Sequence, residues 1–467
     1  MRHVQFFCIL TILFLSSCTR DNLLTSATAG LDTTADTLFF DTLFTTNGSI
    51  TQRFRIINTN DQKIKLSSVA LAGAAPSVFR INVNGVPGPV ITDIEIAAND
   101  SAQVFVNTLV PANSHMLPFI VRDSILIKWN GNQKWVQLEA WAQNARYIRN
   151  GLIQTDTEWN RDLPYVIIGP LRVAENARLR ITKGTKIYLH ADAPILVDGS
   201  MVVEGDSARQ DRVVFSGDRL DAPYHEFPAA WPGIQFGLKS TTNRLDYAII
   251  QNAYQGIVTE GNSGSAGPRL VLNQCIINNA WDAGLMAINS SVEANNCLIS
   301  NCGKNIQIIY GGDYLFRHCT IAGFSNAMVV HKDPVLFISN VFRLNGLTQT
   351  APLRARFINS IFWGDGGTVD DEVVAERTGN DAWHVSFTDG IWKMKSVPEN
   401  LSTVNMQLNA NPLFESPTGI SGPASIDFRL KTGSPAIDKG QNSLLVTDLD
   451  GQPRSNGLPD IGAYEKQ

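Results

Sequence analysis

Two clusters carry side chains able to move protons. His225-Glu226 follows Asp218-Arg219-Leu220-Asp221, and His331-Lys332-Asp333 stands directly before a proline. A His or Lys base beside a neutralised carboxylate suits lyase chemistry on an acidic sugar. Two opposed carboxylates suit glycoside hydrolysis. Both clusters lie in turn-rich stretches, where a solvated polar loop is the competing reading. A third group is acidic. Asp448, Asp450, Asp460 and Glu465 could supply hard oxygen ligands for Ca²⁺, although the EF-hand series is absent and Asp450-Gly451 is also an ordinary turn. Nothing suggests any other cofactor.

Other chemistry-bearing residues recur at a fixed interval. Cys275, Cys297 and Cys319 are spaced by 22. Thiols stacked in line do not form a tetrahedron, so zinc is poorly served and a ladder of small buried side chains is the better reading. Asn252, Asn279 and Asn301, spaced by 27 and 22, each stand four residues after an anchor of the repeat and form a candidate structural ladder, because a buried amide must be paired.

The elements that must position these residues follow from the same period. Aligned triplets are Ala248-Ile249-Ile250, Cys275-Ile276-Ile277, Cys297-Leu298-Ile299, Cys319-Thr320-Ile321, Asn340-Val341-Phe342 and Ser360-Ile361-Phe362. A repeat near 22 residues with short apolar bursts predicts a right-handed parallel β-helix over residues 148–410, irregular in its last part. Leucine-rich repeats share the period, but their pattern is missing. Residues 173–187, 195–205 and 231–236 resemble the opening coils of bacterial β-helix proteins. That likeness implies architecture. The short motifs of pectate lyases and polygalacturonases are absent.

Composition limits the function classes. The chain has 467 residues, Lys+Arg 38 against Asp+Glu 43, and a net charge of -5. That balance argues against a nucleic-acid partner. Charged residues are 17% and hydrophobic residues 44%, which excludes broad disorder, a coiled coil and a polytopic membrane protein.

Residues 31–147 show alternating runs such as Gln52-Arg-Phe-Arg-Ile-Ile57 and Trp135-Val-Gln-Leu-Glu-Ala140, divided by Asn/Asp/Gly/Pro clusters. Period-two strands with such turns predict a small β-sandwich. It resembles the Ig-like modules of bacterial envelope proteins, including uncharacterised Bacteroidetes lipoproteins. Trp129, Trp135 and Trp141 are expected in its core, with sugar stacking as the alternative. The whole is therefore an all-β chain: an N-terminal Ig-like sandwich, then the β-helix, then residues 411–467 as a C-terminal cap. Gly433-Ser-Pro-Ala-Ile-Asp438 and Asp460-Ile-Gly-Ala-Tyr-Glu465 resemble the choice-of-anchor module of secreted bacterial β-helix proteins. A stack of coils needs its open strand edges covered.

The first 17 residues read as a signal peptide, with an apolar run too short to span a bilayer. Leu15-Ser16-Ser17-Cys18 resembles the bacterial lipobox, which implies a lipid on Cys18. Residues 18–30 would form a lipidated tether. Thr19 is not an inner-membrane retention Asp, so the outer membrane is the expected location, with the periplasmic or surface face open. The expected role is presentation of the β-helix to a polysaccharide or an envelope protein without catalysis. The alternative is a polysaccharide lyase or glycoside hydrolase acting on an acidic polysaccharide.

Overall fold

The computed structural model describes residues 22–261, 267–418, 426–454 and 457–467. The chain divides into two compact units, Met1–Asn144 and Ala145–Gln467. Both are built from strands. The helical turns among the described residues are the 3₁₀ segments Arg209–Asp211 and Tyr224–Glu226.

In the first unit a six-stranded and a five-stranded sheet share one core. The period-two alternation decides which residues enter it. In Asn132–Gln143 the even positions Val136, Leu138, Ala140 and Ala142 are buried. The odd positions, including Trp135 and Trp141, therefore face solvent, at 42% and 49% exposure. The expectation of three core tryptophans is corrected: only Trp129 is buried, and its indole N–H donates to the Ala29 carbonyl at 3.0 Å. That contact also corrects part of the tether. Leu23–Leu24 adds a parallel strand to Lys63–Leu71, Ala29 is buried, and Asn130 donates to the Leu24 carbonyl. Residues 22–30 are thus seated on the sandwich. Cys18 and the expected signal peptide lie outside the described residues.

The second unit holds an 11-stranded and a 17-stranded sheet, both fully parallel in their paired registers. Each strand pairs with the one roughly a repeat later. One inward column runs Ile250, Ile277, Ile299, Ile321, Phe362, Trp392. Another stacks Phe316, Phe357 and Phe387, with ring centroids 5.2 and 4.6 Å apart and planes within 20° and 14°. Parallel strands buried on both faces read as continuous apolar runs, which is why the bursts are legible in the sequence.

The repeat alignment needs one correction. Thr320 pairs directly with Ile361, so Asn340-Val341-Phe342 is not a coil of that sheet. Val341–Leu344 instead folds back on Leu347–Thr350 as an antiparallel hairpin around Asn345-Gly346. Its apolar pair imitates a coil, but its turn is a short hairpin signal. Parallel pairing then continues to Gln407–Leu408, past the point where the repeat fades in sequence.

The C-terminal segment runs along a flank of the second unit and reaches the last strand of the 11-stranded sheet, where Gln407 donates to the Pro435 carbonyl. Phe414, Phe428, Leu430, Ile461 and Tyr464 pack against the outer face of the 11-stranded sheet, on Leu298, Ala322, Ile361, Trp363 and Ile391. Hydrogen bonds fix it along that flank: Arg212 donates to the Leu449 carbonyl, Asn296 to the Thr447 carbonyl, and the Ala463 amide to Thr320 Oγ1. The outward residues of the sheet are apolar and must be covered, and the segment covers them. Phe428 is buried at the centre of this contact. Phe428→Ala should cost about 3–5 kcal/mol, read as a lower urea midpoint, whereas Trp141→Ala should cost under about 0.5. Equal effects would show that the segment contributes no packing.

Candidate functional site

The ladders are the first groups to place. Cys275, Cys297, Cys302 and Cys319 are free and buried. Burial pushes the Cys275 and Cys297 thiols well above their ordinary range and Cys302 to about 12, so they stay protonated and inert. Asn252, Asn279 and Asn301 adopt φ of 63°, 53° and 53°, the left-handed turn conformation that Asn tolerates. Asn279 Nδ2 donates to Asn252 Oδ1 at 2.8 Å, and Asn301 Oδ1 accepts the Phe324 amide at 3.0 Å. These residues build turns.

A second ladder escaped the sequence reading. Asp246, Asn273, Asn295 and Arg317 each stand two residues before an anchor. Asn273 donates to Asp246, Asn295 to Asn273, and Arg317 to Asn295, at 2.7–2.9 Å. Their spacing of 27, 22 and 22 repeats that of the anchors and was the available signal.

His225 and Glu226 lie in an exposed 3₁₀ turn, 3.4 Å apart. Their backbone carbonyls accept Asn252 and Asn279, so the loop is pinned by the Asn turns. Beside them Arg219 grips Asp221 through two bonds and lies 4.0 Å from the Tyr224 ring centre. The structure does not bring this cluster to the second one.

His331, Lys332 and Asp333 are separated by burial. His331 is enclosed, and its Nε2 stands 2.9 Å from Oε1 of Glu372, which is fully buried. Glu372 also accepts the Val335 amide. No spacing links residues 331 and 372, so sequence reasoning missed this partner. Gly364 makes room for the pair: a Cβ there would fall 2.2 Å from both side chains. Lys332 and Asp333 instead face outward, into a pocket of about 250 Å³. Tyr254 and Trp281 line it with rings 47% and 51% exposed. Lys304 donates to Asp282 at 3.0 Å, and Gln255 to Asp282 at 2.8 Å. Tyr254, Trp281 and Gly303 occupy the same turn in successive coils: the Trp281 amide donates to Ala253, and the Gly303 amide to Ala280. Gly303 leaves space where a third side chain would stand, and a Cβ there would meet the Trp281 carbonyl at 2.3 Å.

The acidic C-terminal group is arranged around Arg454. Its guanidinium donates to Glu465, the Gly462 carbonyl and Asn296 at 2.8–3.0 Å. Asp448 accepts the amides of Asp450, Gln452 and Glu465. Asp460 accepts those of Asp438 and Lys466. Asp450 pairs with Arg429. Burial raises the Asp448, Asp460 and Glu465 carboxyls and lowers Arg454. The four acids face N–H donors rather than one another, and no group of three or more ligating side chains among the described residues is arranged to hold a metal.

No family model matches the chain, and no curated protein matches it. Solved structures give partial likenesses. A family 123 glycoside hydrolase from Clostridium perfringens is 10% identical over 26% of this chain and 30% of its own, at a TM-score of 0.20. A protein of unknown function from Porphyromonas gingivalis is 14% identical over 30% and 59%, at 0.18. A PapD-like domain of human CEP192 is 9% identical over 26% and 87%, at 0.17.

His318 joins the C-terminal segment to the stacked strands. Its Nδ1 is 3.1 Å from the Asp460 carbonyl, and its Nε2 lies 2.8 Å from Asn359 Nδ2. Burial, then Arg454, lowers its pKa from 6.5 to about 3. The unfolded chain therefore takes this proton first. The contribution is present above about pH 6.5 and is lost as pH falls towards 3, by about 1.4 kcal/mol per pH unit. The stability gap between wild type and His318→Gln should narrow between pH 7 and pH 4.5 in urea titrations. A constant gap would refute a neutral buried imidazole.

Proposed function

We propose that the protein is a non-catalytic glycan-binding lipoprotein of the outer membrane. On this reading the second unit is a right-handed parallel β-helix, the first an Ig-like spacer, and Cys18 the lipid-bearing residue. One observation carries the binding role: two aromatic rings, Tyr254 and Trp281, stand half exposed on adjacent turns beside charged and amide groups. Large exposed aromatics flanked by polar partners suit the apolar face and hydroxyl edge of a sugar. The non-catalytic part rests on geometry. His331 is enclosed with Glu372 and does not line the pocket, and Lys304, which does, is paired with Asp282.

The test is binding to a panel of neutral soluble polysaccharides, with reducing and unsaturated ends measured in parallel on neutral and acidic ones. Trp281→Ala should weaken glycan binding at least tenfold and leave the melting temperature within about 2 °C, because the ring is half exposed. Release of new ends would replace this reading with a lyase or hydrolase. Unchanged binding in Trp281→Ala would remove the site.

A further inference from the structure

A second surface in the same unit has a different chemistry. The strand Leu353–Ile358 alternates, so Leu353, Ala355 and Phe357 are buried while Arg354 and Arg356 project outward. The next coil adds His384 in register with Arg354, and Ser386 in register with Arg356. Arg377, just past the strand Val373–Glu376, enters the same groove, which measures about 810 Å³. Trp383 also lines it, held by its indole N–H donating to the Asn400 carbonyl at 2.6 Å.

The charge here is unlike that on the rest of the sheet. Elsewhere most of its outward arginines meet a carboxylate, and Arg178 meets only Ser200. Arg180 stands between Glu158 and Glu204, Arg244 binds Asp246, and Arg317 binds Glu293. In the groove, Arg356 has Leu315 and Ser386 as its register neighbours. Arg356 and Arg377 make no ion pair among the described residues. Arg354 approaches Asp313 only at 3.8 Å. Glu399 is the one acid among the lining residues, against three guanidiniums. Three cations held on one open face of a net acidic protein repel one another unless an anion joins them.

We infer that this groove binds an acidic polysaccharide through its carboxylates. Guanidinium forks match carboxylates in a two-bond geometry. Register neighbours are set about 4.8 Å apart along the stack, and same-face residues of one strand about 6.8 Å apart. That spreads the cations along a path suited to a polymer with a charge on each unit. An open groove without a closed cradle favours such a chain over a single small anion. The site is separate from the Tyr254 and Trp281 pocket and stands whether or not that pocket binds sugar.

The experiment is calorimetry on the purified protein with oligogalacturonate. Comparators are a neutral glucan oligosaccharide, anionic phosphatidylglycerol vesicles and single-stranded DNA. Oligogalacturonate should bind, weaken as salt rises, and lose at least tenfold affinity in Arg356→Ala/Arg377→Ala. Both side chains are exposed, so that variant should keep the wild-type melting temperature. Arg356→Lys should retain part of the affinity, and Trp281→Ala should bind oligogalacturonate as wild type does. No binding of oligogalacturonate would overturn the inference. So would equal binding of the neutral glucan, tighter binding of vesicles or DNA, or affinity that survives the double substitution.

Discussion

In-register parallel pairing is the constraint on which the second unit depends. A residue in one coil has the corresponding residues of the coils before and after as its direct neighbours. Like chemistry must therefore recur at the repeat length, or the interior is left with voids and unpaired polar groups. The Ile250-to-Trp392 column, the phenylalanine stack and the buried thiols all obey this rule. The Asn turns obey it through hydrogen bonds. Asn279 meets Asn252, and the amides that a left-handed turn frees are taken up within the stack.

The same constraint explains where the unit departs from regularity. Outward positions need not match, so they carry hairpins, loops and charge. Between 325 and 352 the chain adds the strand Leu336–Ser339 to the 17-stranded sheet and then the hairpin 341–350, which pairs only with itself. The 11-stranded sheet is apolar on its outer face as well, and that excess is resolved by the C-terminal segment. The segment brings its own buried polar set, with Arg454 and His318 joining it to the strands. Within it, Asp448, Asp460 and Glu465 accept backbone amides, Glu465 also accepts the Arg454 guanidinium, and Asp450 pairs with Arg429.

Function follows from what the regular stack leaves free. Exposed turns and the outer face of the 17-stranded sheet hold side chains that the fold does not use. Tyr254 with Trp281, and the arginines around Arg356, are two places among the described residues where such side chains gather. Paired ladders such as Asp246–Asn273–Asn295–Arg317 already consume their own donors and acceptors. They are structure rather than sites.

Much of the architecture was legible in one dimension. Period-two runs announced strands, the 22-residue interval announced parallel strands that repeat in register, and the cysteine spacing announced a buried column. Those features are local or periodic, and each residue's neighbours are set by a fixed offset. Other features were not legible, because they join residues with no such offset. Glu372 lies 41 positions from His331. The face taken by each tryptophan depends on which parity of its strand meets the core, and three indoles six residues apart did not reveal that Trp129 alone would be enclosed. The sequence by itself determined an all-β chain built largely from stacked parallel strands. Only the tertiary structure decided which charged residues neutralise one another and which stand free, because that choice depends on distances across coils rather than along the chain.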